Sequence, residues 1–196
     1  STGARPPARS EREADNDTVS LPVGLGPYDT YVLSRNRRIL AVYHRESDTQ
    51  DLFSVEVFDR SGRKIARAKV EPLWNIDVSD RGHLLLWGSE PTPEIARYGH
   101  VLVYPFFDSG FTGRLSLGET MWLNTSAVWI DQNRLAILSP DTGLRHSSGY
   151  LFVFDVSKNE QVWIRRLEEM TPATFRRPLE VRNGRLWFQR IDRSRM

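Results

Sequence analysis

The sequence predicts a repeating all-β chain of four-stranded antiparallel units, and three observations predict it. Four times a short apolar run meets a polar turn and returns as another run: YVLS-RNR-RILAVY, NIDVS-DRG-HLLLWG, AVWI-DQN-RLAIL and LEVR-NG-RLWF. The return positions Ile39, Leu84, Leu135 and Leu186 lie 45, 51 and 51 residues apart, the period range of a repeat architecture. A second landmark gives nearly the same period, because the runs LFSVEVFD, HVLVYPFFD and YLFVFD close on Asp59, Asp108 and Asp155, spaced 49 and 47 residues apart. Within the runs, residues alternate with period two. Phe53, Val55 and Val57 share one face while Ser54, Glu56 and Phe58 share the other, which is the pattern of a strand.

The elements follow in order. The first strand covers Tyr31 to Leu33, and the preceding Leu21 to Pro27, with two prolines and two glycines, opposes helix and central strand but suits an edge. In the middle repeat the four strands are expected at Trp74 to Val78, His83 to Trp87, His100 to Phe106 and Phe111 to Leu117. The turns between first and second strands contain Asn-Arg, Arg-Gly, Gln-Asn and Asn-Gly, residues that accept the positive φ of tight hairpins, Asn183-Gly184 most strongly. Those between third and fourth strands are Arg-Ser-Gly, Ser-Gly and Val-Ser-Lys-Asn. LLLW and YLFVF are apolar on both faces, as expected of strands lying between neighbouring sheets. One helix is expected, Ile164 to Met170, ended by Thr171-Pro172.

Ser79-Asp-Arg-Gly82 followed by HLLLWGSE and HVLVY, with closing aspartates at Asp59 and Asp155, resembles the generic blade of a β-propeller, WD-repeat-like or related. The resemblance covers residues 28 to 192. It implies four-stranded blades around an axis: three full repeats plus a terminal hairpin, closed as four blades if the N-terminal segment Thr18 to Leu25 pairs beside that hairpin. If the array stays open, its edges call for a partner or a second copy, so a homo-oligomer is one expectation. The glycine-histidine and tryptophan-aspartate pairs of WD repeats do not recur, so no family's binding residues are carried over. An immunoglobulin-like sandwich is the competing fold, and its period is shorter than these units.

With 196 residues, 39% hydrophobic and 27% charged, the chain has the profile of one globular domain. Residues 1 to 20, rich in Pro, Ala, Arg, Glu and Ser, read as a disordered tether, leaving 21 to 196 as a single β domain. Such a tether suggests an exported protein, periplasmic or extracellular, held near a membrane through a preceding lipid or helical anchor. No run reaches the ~20 apolar residues of a membrane-spanning helix. The net charge is +2, but residues 165 to 196 hold nine arginines against four acids. These arginines flank a half-buried strand, and no nucleic acid is expected as partner.

The absence of cysteine removes disulfides, thiolate metal sites and cysteine nucleophiles. His44, His83, His100 and His146 form no HxH, HxxxH or HExxH, so neither metal nor cofactor is expected. His83 takes a hairpin position that holds arginine in the other three copies, which predicts a surface side chain. Ser139, Asp141 and His146 share a loop, but no Gly-x-Ser-x-Gly elbow accompanies them. The carboxylates Asp77, Asp80, Glu90, Glu94, Glu119 and Asp131 are the material for a carbohydrate-active hydrolase, the alternative function.

Loop length points elsewhere. The links from second to third strand are long and polar: HRESDTQD from His44, SEPTPEIARYG from Ser89 and SPDTGLRHSSG from Ser139. In an up-and-down unit they leave the same end as the fourth-to-first links, which carry Trp74 and Trp122. Binding residues concentrate on such loops. The expected site therefore joins Arg45, Glu46, Asp48, Trp74, Glu90, Glu94, Arg97, Tyr98, Trp122, Asn124, Asp141, Arg145 and His146, with Trp, Tyr and Arg as anchors. The expected function is a non-catalytic module that binds another protein, of the inhibitor, immunity or assembly type.

Overall fold

A computed structural model of the chain describes residues 26, 29–45, 53–70, 75–88, 99–108, 110–120, 126–140, 148–168 and 179–188. The first unit is β1 (Thr30–Leu33), β2 (Ile39–Arg45), β3 (Phe53–Asp59) and β4 (Lys64–Val70), antiparallel and hydrogen-bonded in chain order. The second contains β5 (Asn75–Val78), β6 (Leu84–Gly88) and β7 (Gly99–Tyr104), then a separate two-stranded hairpin of β8 (Phe106–Phe107) and β9 (Gly110–Phe111), and last β10 (Leu115–Thr120), which pairs with β7. The third is β11 (Ser126–Trp129), β12 (Arg134–Pro140), β13 (Ser148–Asp155) and β14 (Glu160–Glu168), and the fourth is the hairpin of β15 (Glu180–Arg182) and β16 (Arg185–Trp187). The described residues contain no helix. The all-β, propeller-like array of four-stranded antiparallel units is therefore present, with three full sheets and a terminal hairpin. The segments 1 to 20 and Thr18 to Leu25 lie outside the described residues.

Turn chemistry repeats with the sheets. The Ser34 and Ser79 hydroxyls each accept a backbone N–H across the first-to-second turn, from Ile39 and His83 respectively, at 3.1 Å in both cases. In the third unit the Asp131 carboxylate does this work, accepting the N–H groups of Asn133 and Arg134. In the fourth, Asn183 and Gly184 have φ of 51° and 70°, the two successive positive angles that a type I′ turn requires. Asp59 and Asp155 end β3 and β13 and cap the following turns alike, each accepting the N–H and hydroxyl of the serine two residues on.

Three sequence expectations change. The fourth strand of the second unit starts at Leu115, not Phe111, because Pro105 supplies no ladder donor and its carbonyl instead accepts the Thr112 N–H at 3.0 Å, closing the β8–β9 hairpin. Asp108 consequently sits in that hairpin's turn at φ 51° and is not the counterpart of Asp59 and Asp155. The expected helix is also absent, since Ile164 to Glu168 belong to β14, where Ile164 faces Phe152 and Arg166 faces Tyr150. A seven-residue helix is too short to stand alone, whereas Val162-Trp163-Ile164 favours extended backbone and β13 offers eight residues to pair with.

The sheets stack face to face, and the doubly apolar strands lie between them. Ala41, Val55 and Val57 of the first sheet meet Leu84, Leu86 and Leu102 of the second. The other face of the second sheet, with Leu85, Val101 and Val103, meets Ala127, Trp129, Leu135 and Ile137 of the third. Ala136, Leu138 and Leu151 on the third sheet's far face meet Leu179, Leu186 and Phe188 of the terminal unit. Leu40 and Val42, on the face of the first sheet turned away from the second, are fully buried too. At about 1.5–3 kcal/mol per buried aliphatic side chain, these interfaces outweigh any single turn contact.

Polar contacts tie consecutive units at their first-strand ends. Asp80 accepts the Asn36 N–H at 2.8 Å, His83 Nε2 lies 3.4 Å from Asn133 Oδ1, and the Ser126 hydroxyl accepts the Leu179 N–H at 3.0 Å.

Candidate functional site

The first strands of all four units converge on one cavity of about 220 Å³. Its wall is built from equivalent positions of the repeat. Leu33 pairs with Leu40, Asp77 with Leu85 and Val128 with Ala136, which places these three at one level of the inner strands; Val78, Trp129 and Val181 form the next level. Arg35, Ser79, Asp80, Ile130 and Asp131 come from the first-to-second turns and frame the mouth. The mouth widens into a shallower, more polar depression of about 540 Å³ that adds Gln132, Asn133, Arg134 and Asp155.

Asp77 is the chemically distinct residue of the inner wall. A carboxylate is a poor strand former, and the equivalent positions of the first and third units hold Leu33 and Val128, while that of the fourth, Glu180, does not line the cavity. Burial pushes the Asp77 carboxyl up to about 6, with the neighbouring Asp80 charge adding to the rise, against hydrogen bonds from the N–H groups of Val78, at 2.8 Å, and Trp129. Burial also acts to raise Asp131, but the N–H groups of Asn133 and Arg134 and the Arg134 guanidinium outweigh it and hold that carboxyl below the usual range. The Arg134 Nε reaches Asp131 Oδ2 at 2.7 Å, so this carboxylate is engaged within its own turn. Asp155 is likewise held low, chiefly by the Ser157 hydroxyl. The result is a small cavity with an apolar wall that includes Trp129, one poorly solvated carboxyl inside, and carboxylates together with Arg35 at the mouth.

His83 is fully buried behind this site, between the second and third sheets, and is not the surface residue its arginine counterparts suggested. Its Nδ1 accepts the Phe106 N–H at 2.9 Å, and its ring lies 5.3 Å from that of Phe107 and 5.9 Å from that of Trp129. The inserted β8–β9 hairpin, which the first and third units lack between their third and fourth strands, is what creates this environment. Burial lowers the His83 pKa, the contact with Asn133 opposes that, and the Arg81 charge adds to it.

The remaining candidates separate. Of the thirteen residues expected to form a loop-face site, Arg45 lies at the end of β2 opposite Phe53. The other twelve, Glu46, Asp48, Trp74, Glu90, Glu94, Arg97, Tyr98, Trp122, Asn124, Asp141, Arg145 and His146, lie outside the described residues. Of the carboxylates considered for hydrolysis, Asp77, Asp80 and Asp131 come together in the cavity, whereas Glu119 sits on β10 opposite His100. His44 contacts Asp29 at 2.9 Å through Nδ1 and approaches Glu56 at 3.4 Å through Nε2. Its cross-strand neighbour Ser54 is 1% exposed, so this carboxylate–histidine pair has no accessible serine opposite it. No group of three or more His, Asp or Glu suited to a metal ion occurs among the described residues.

No family profile matches the chain, and no curated protein matches it in sequence. Among solved structures it is similar to the β-propeller domain of the trilobed protease from Pyrococcus furiosus, which has an open velcro topology. The two share 12% identity over 67% of this chain and 40% of that one, at a TM-score of 0.46. It is also similar to a prolyl endopeptidase studied for inter-domain dynamics in catalysis and specificity, with 15% identity over 81% and 23% of the two chains and a TM-score of 0.48. The acylaminoacyl peptidase of Pyrococcus horikoshii matches at 11% identity over 67% and 24%, with a TM-score of 0.41. This chain spans less than half the length of each. The likeness is one of architecture.

Proposed function

We propose that this chain is a non-catalytic protein-binding module, and that its axial cavity receives a basic side chain of the partner. One observation carries the reading: the only inner-wall position that departs from aliphatic among Leu33, Asp77 and Val128 is a carboxyl, placed where water solvates it poorly. A lysine or arginine inserted from the turn end would lay its methylenes along Leu33, Val78, Val128 and Val181 and bring its charge to Asp77. The inner 220 Å³ fits one side chain, and the wider depression of about 540 Å³ at the mouth leaves room for the backbone that carries it. A cation there also offsets the burial cost of the ionised Asp77, so binding is expected to lower its pKa and release protons near pH 6.

The test is an array of extended peptides with one central lysine or arginine, against the same peptides with norleucine or citrulline, probed with the wild type and with Asp77→Asn. Binding that needs the cation and falls at least about tenfold in Asp77→Asn supports the reading. Equal binding of charged and neutral peptides overturns it.

A second reading, carboxylate-assisted hydrolysis, draws on the contrast between Asp77, raised to about 6, and Asp131, held low, in one cavity. The engagement of Asp131 by its turn and by Arg134 weighs against it. Turnover of aryl glycosides near pH 5 that disappears in Asp77→Asn would favour this reading over binding.

A further inference from the structure

Large exposed apolar side chains gather on one strand. Val162, Trp163 and Ile164, exposed by 40%, 45% and 52%, are consecutive residues of β14, the outermost strand of the third sheet. The position in the fold does not require this. On β4, the corresponding outermost strand of the first sheet, Lys64, Arg67 and Lys69 are the exposed residues and the apolar ones are half-buried. Charges of that kind keep an edge from pairing with another chain. At nine residues β14 is also the longest strand described, and among the described residues its outer side has no partner strand.

We infer that β14 is the interface between two copies of this chain, which join their third sheets antiparallel across a two-fold axis. The order of side chains along the strand argues for a second copy as the occupant. With the axis through Ile164, that residue meets Ile164 of the second copy. Trp163 then meets Arg165 of the second copy, and Arg165 its Trp163, a guanidinium against an indole on each side of the axis. Toward β13 the ladder already shifts between Val153 and Phe154, leaving Val162 outside the alternation. With Val162 outside it on the free edge as well, Gln161 falls opposite Arg166 and Glu160 opposite Leu167, and each pair lies on one face of the joined sheet. No like charges face each other in this register, and Arg166 keeps the 3.1 Å contact with Glu168 on its own strand. A closed two-fold pairs one edge with itself and leaves no β14 edge open for further growth.

The chain contains no cysteine, so a single introduced thiol reports the geometry cleanly. Sedimentation of the full chain across micromolar concentrations is expected to give a monomer–dimer equilibrium. Under mild oxidation, Ile164→Cys should form an interchain disulfide at least about tenfold faster than Lys158→Cys, placed in the adjacent exposed turn, because only residues near the axis face their own copies. Ile164→Lys and Arg165→Glu should each weaken the dimer at least about tenfold. Arg165 is exposed, and its variant decides the matter should Ile164→Lys fail to fold, with circular dichroism as the check. A chain that stays monomeric, an Ile164→Cys that cross-links no faster than the control, or a dimer indifferent to Arg165→Glu overturns the inference.

Discussion

Replacing Asp77 by asparagine should stabilise the protein at neutral pH while impairing the function proposed for it. The carboxyl holds its proton to about pH 6 in the fold and to about 3.8 when unfolded, so between those values the native state binds more protons and stability falls as pH rises. Above pH 7 the ionised group costs the fold at most about 3 kcal/mol, the free energy equivalent of that displacement. Asparagine is the neutral isostere, and its carbonyl oxygen can accept the N–H groups of Val78 and Trp129 as the carboxylate does. The expected gain is therefore about 1 to 3 kcal/mol above pH 7, shrinking as pH falls and vanishing only below about pH 3, where the wild-type carboxyl is protonated folded and unfolded alike. Urea unfolding followed by tryptophan fluorescence at a series of pH values measures the difference. A gain that does not vary with pH, or a variant less stable than wild type at pH 8, would refute the assignment of Asp77 as a half-buried carboxylate that costs the fold when ionised. Stability gained together with binding lost is the mark of a residue kept for function.

Three further outcomes follow from the same structure. His83 protonates less readily folded than unfolded, so its contribution is intact above pH 6.5 and is lost as pH falls below that value. Melting curves from pH 7.5 to 5.5 should show His83→Gln with a shallower pH slope than wild type, at a fixed cost of about 1–3 kcal/mol if the Phe106 N–H is left unpaired. Gly184→Val should destabilise the last hairpin by about 1 kcal/mol or more, because no atom lies within 4 Å of the added Cβ and the whole cost is that of φ 70°; an unchanged urea midpoint would refute this. Ser126→Ala should cost about 1–3 kcal/mol by stranding the buried Leu179 N–H, the polar tie between third and terminal units, and hydrogen exchange should show that hairpin opening more readily than the other sheets.

The repeat was legible because its signals are local: polar two- and three-residue turns between apolar runs leave little choice of hairpin register. The errors arose where a residue's environment is supplied by another part of the chain. His83 reads as a surface residue beside Arg38, Arg134 and Arg185, and only the inserted β8–β9 hairpin buries it. Ile164 to Met170 carries a helix-compatible mix of residues, and the pairing with β13 decides for strand. Asp108 matched the spacing of Asp59 and Asp155, although Pro105 had ended the strand before it. The axial cavity was only half legible. Trp, Tyr and Arg in long loops drew attention to one end of the sheets, while Leu33, Val128 and Val181 look like ordinary strand residues. Asp77 was the available signal, an acid inside an inner strand at a level where the first and third copies hold Leu33 and Val128 and only the fourth, at Glu180, holds another acid. Its significance depends on four strands converging, which no single segment encodes.

The most direct test of the account is to ask which end of the array touches the partner. In this cysteine-free chain a photo-reactive label can be placed on Gln132→Cys, at the cavity mouth, or on Tyr98→Cys, in the loop between second and third strands. Each is irradiated in an extract of the native cells, and the captured proteins are identified. The account predicts one protein captured from Gln132, through a segment containing lysine or arginine, and lost when Asp77→Asn is added. Capture from Tyr98 alone, or capture from Gln132 that is indifferent to Asp77→Asn, would contradict it.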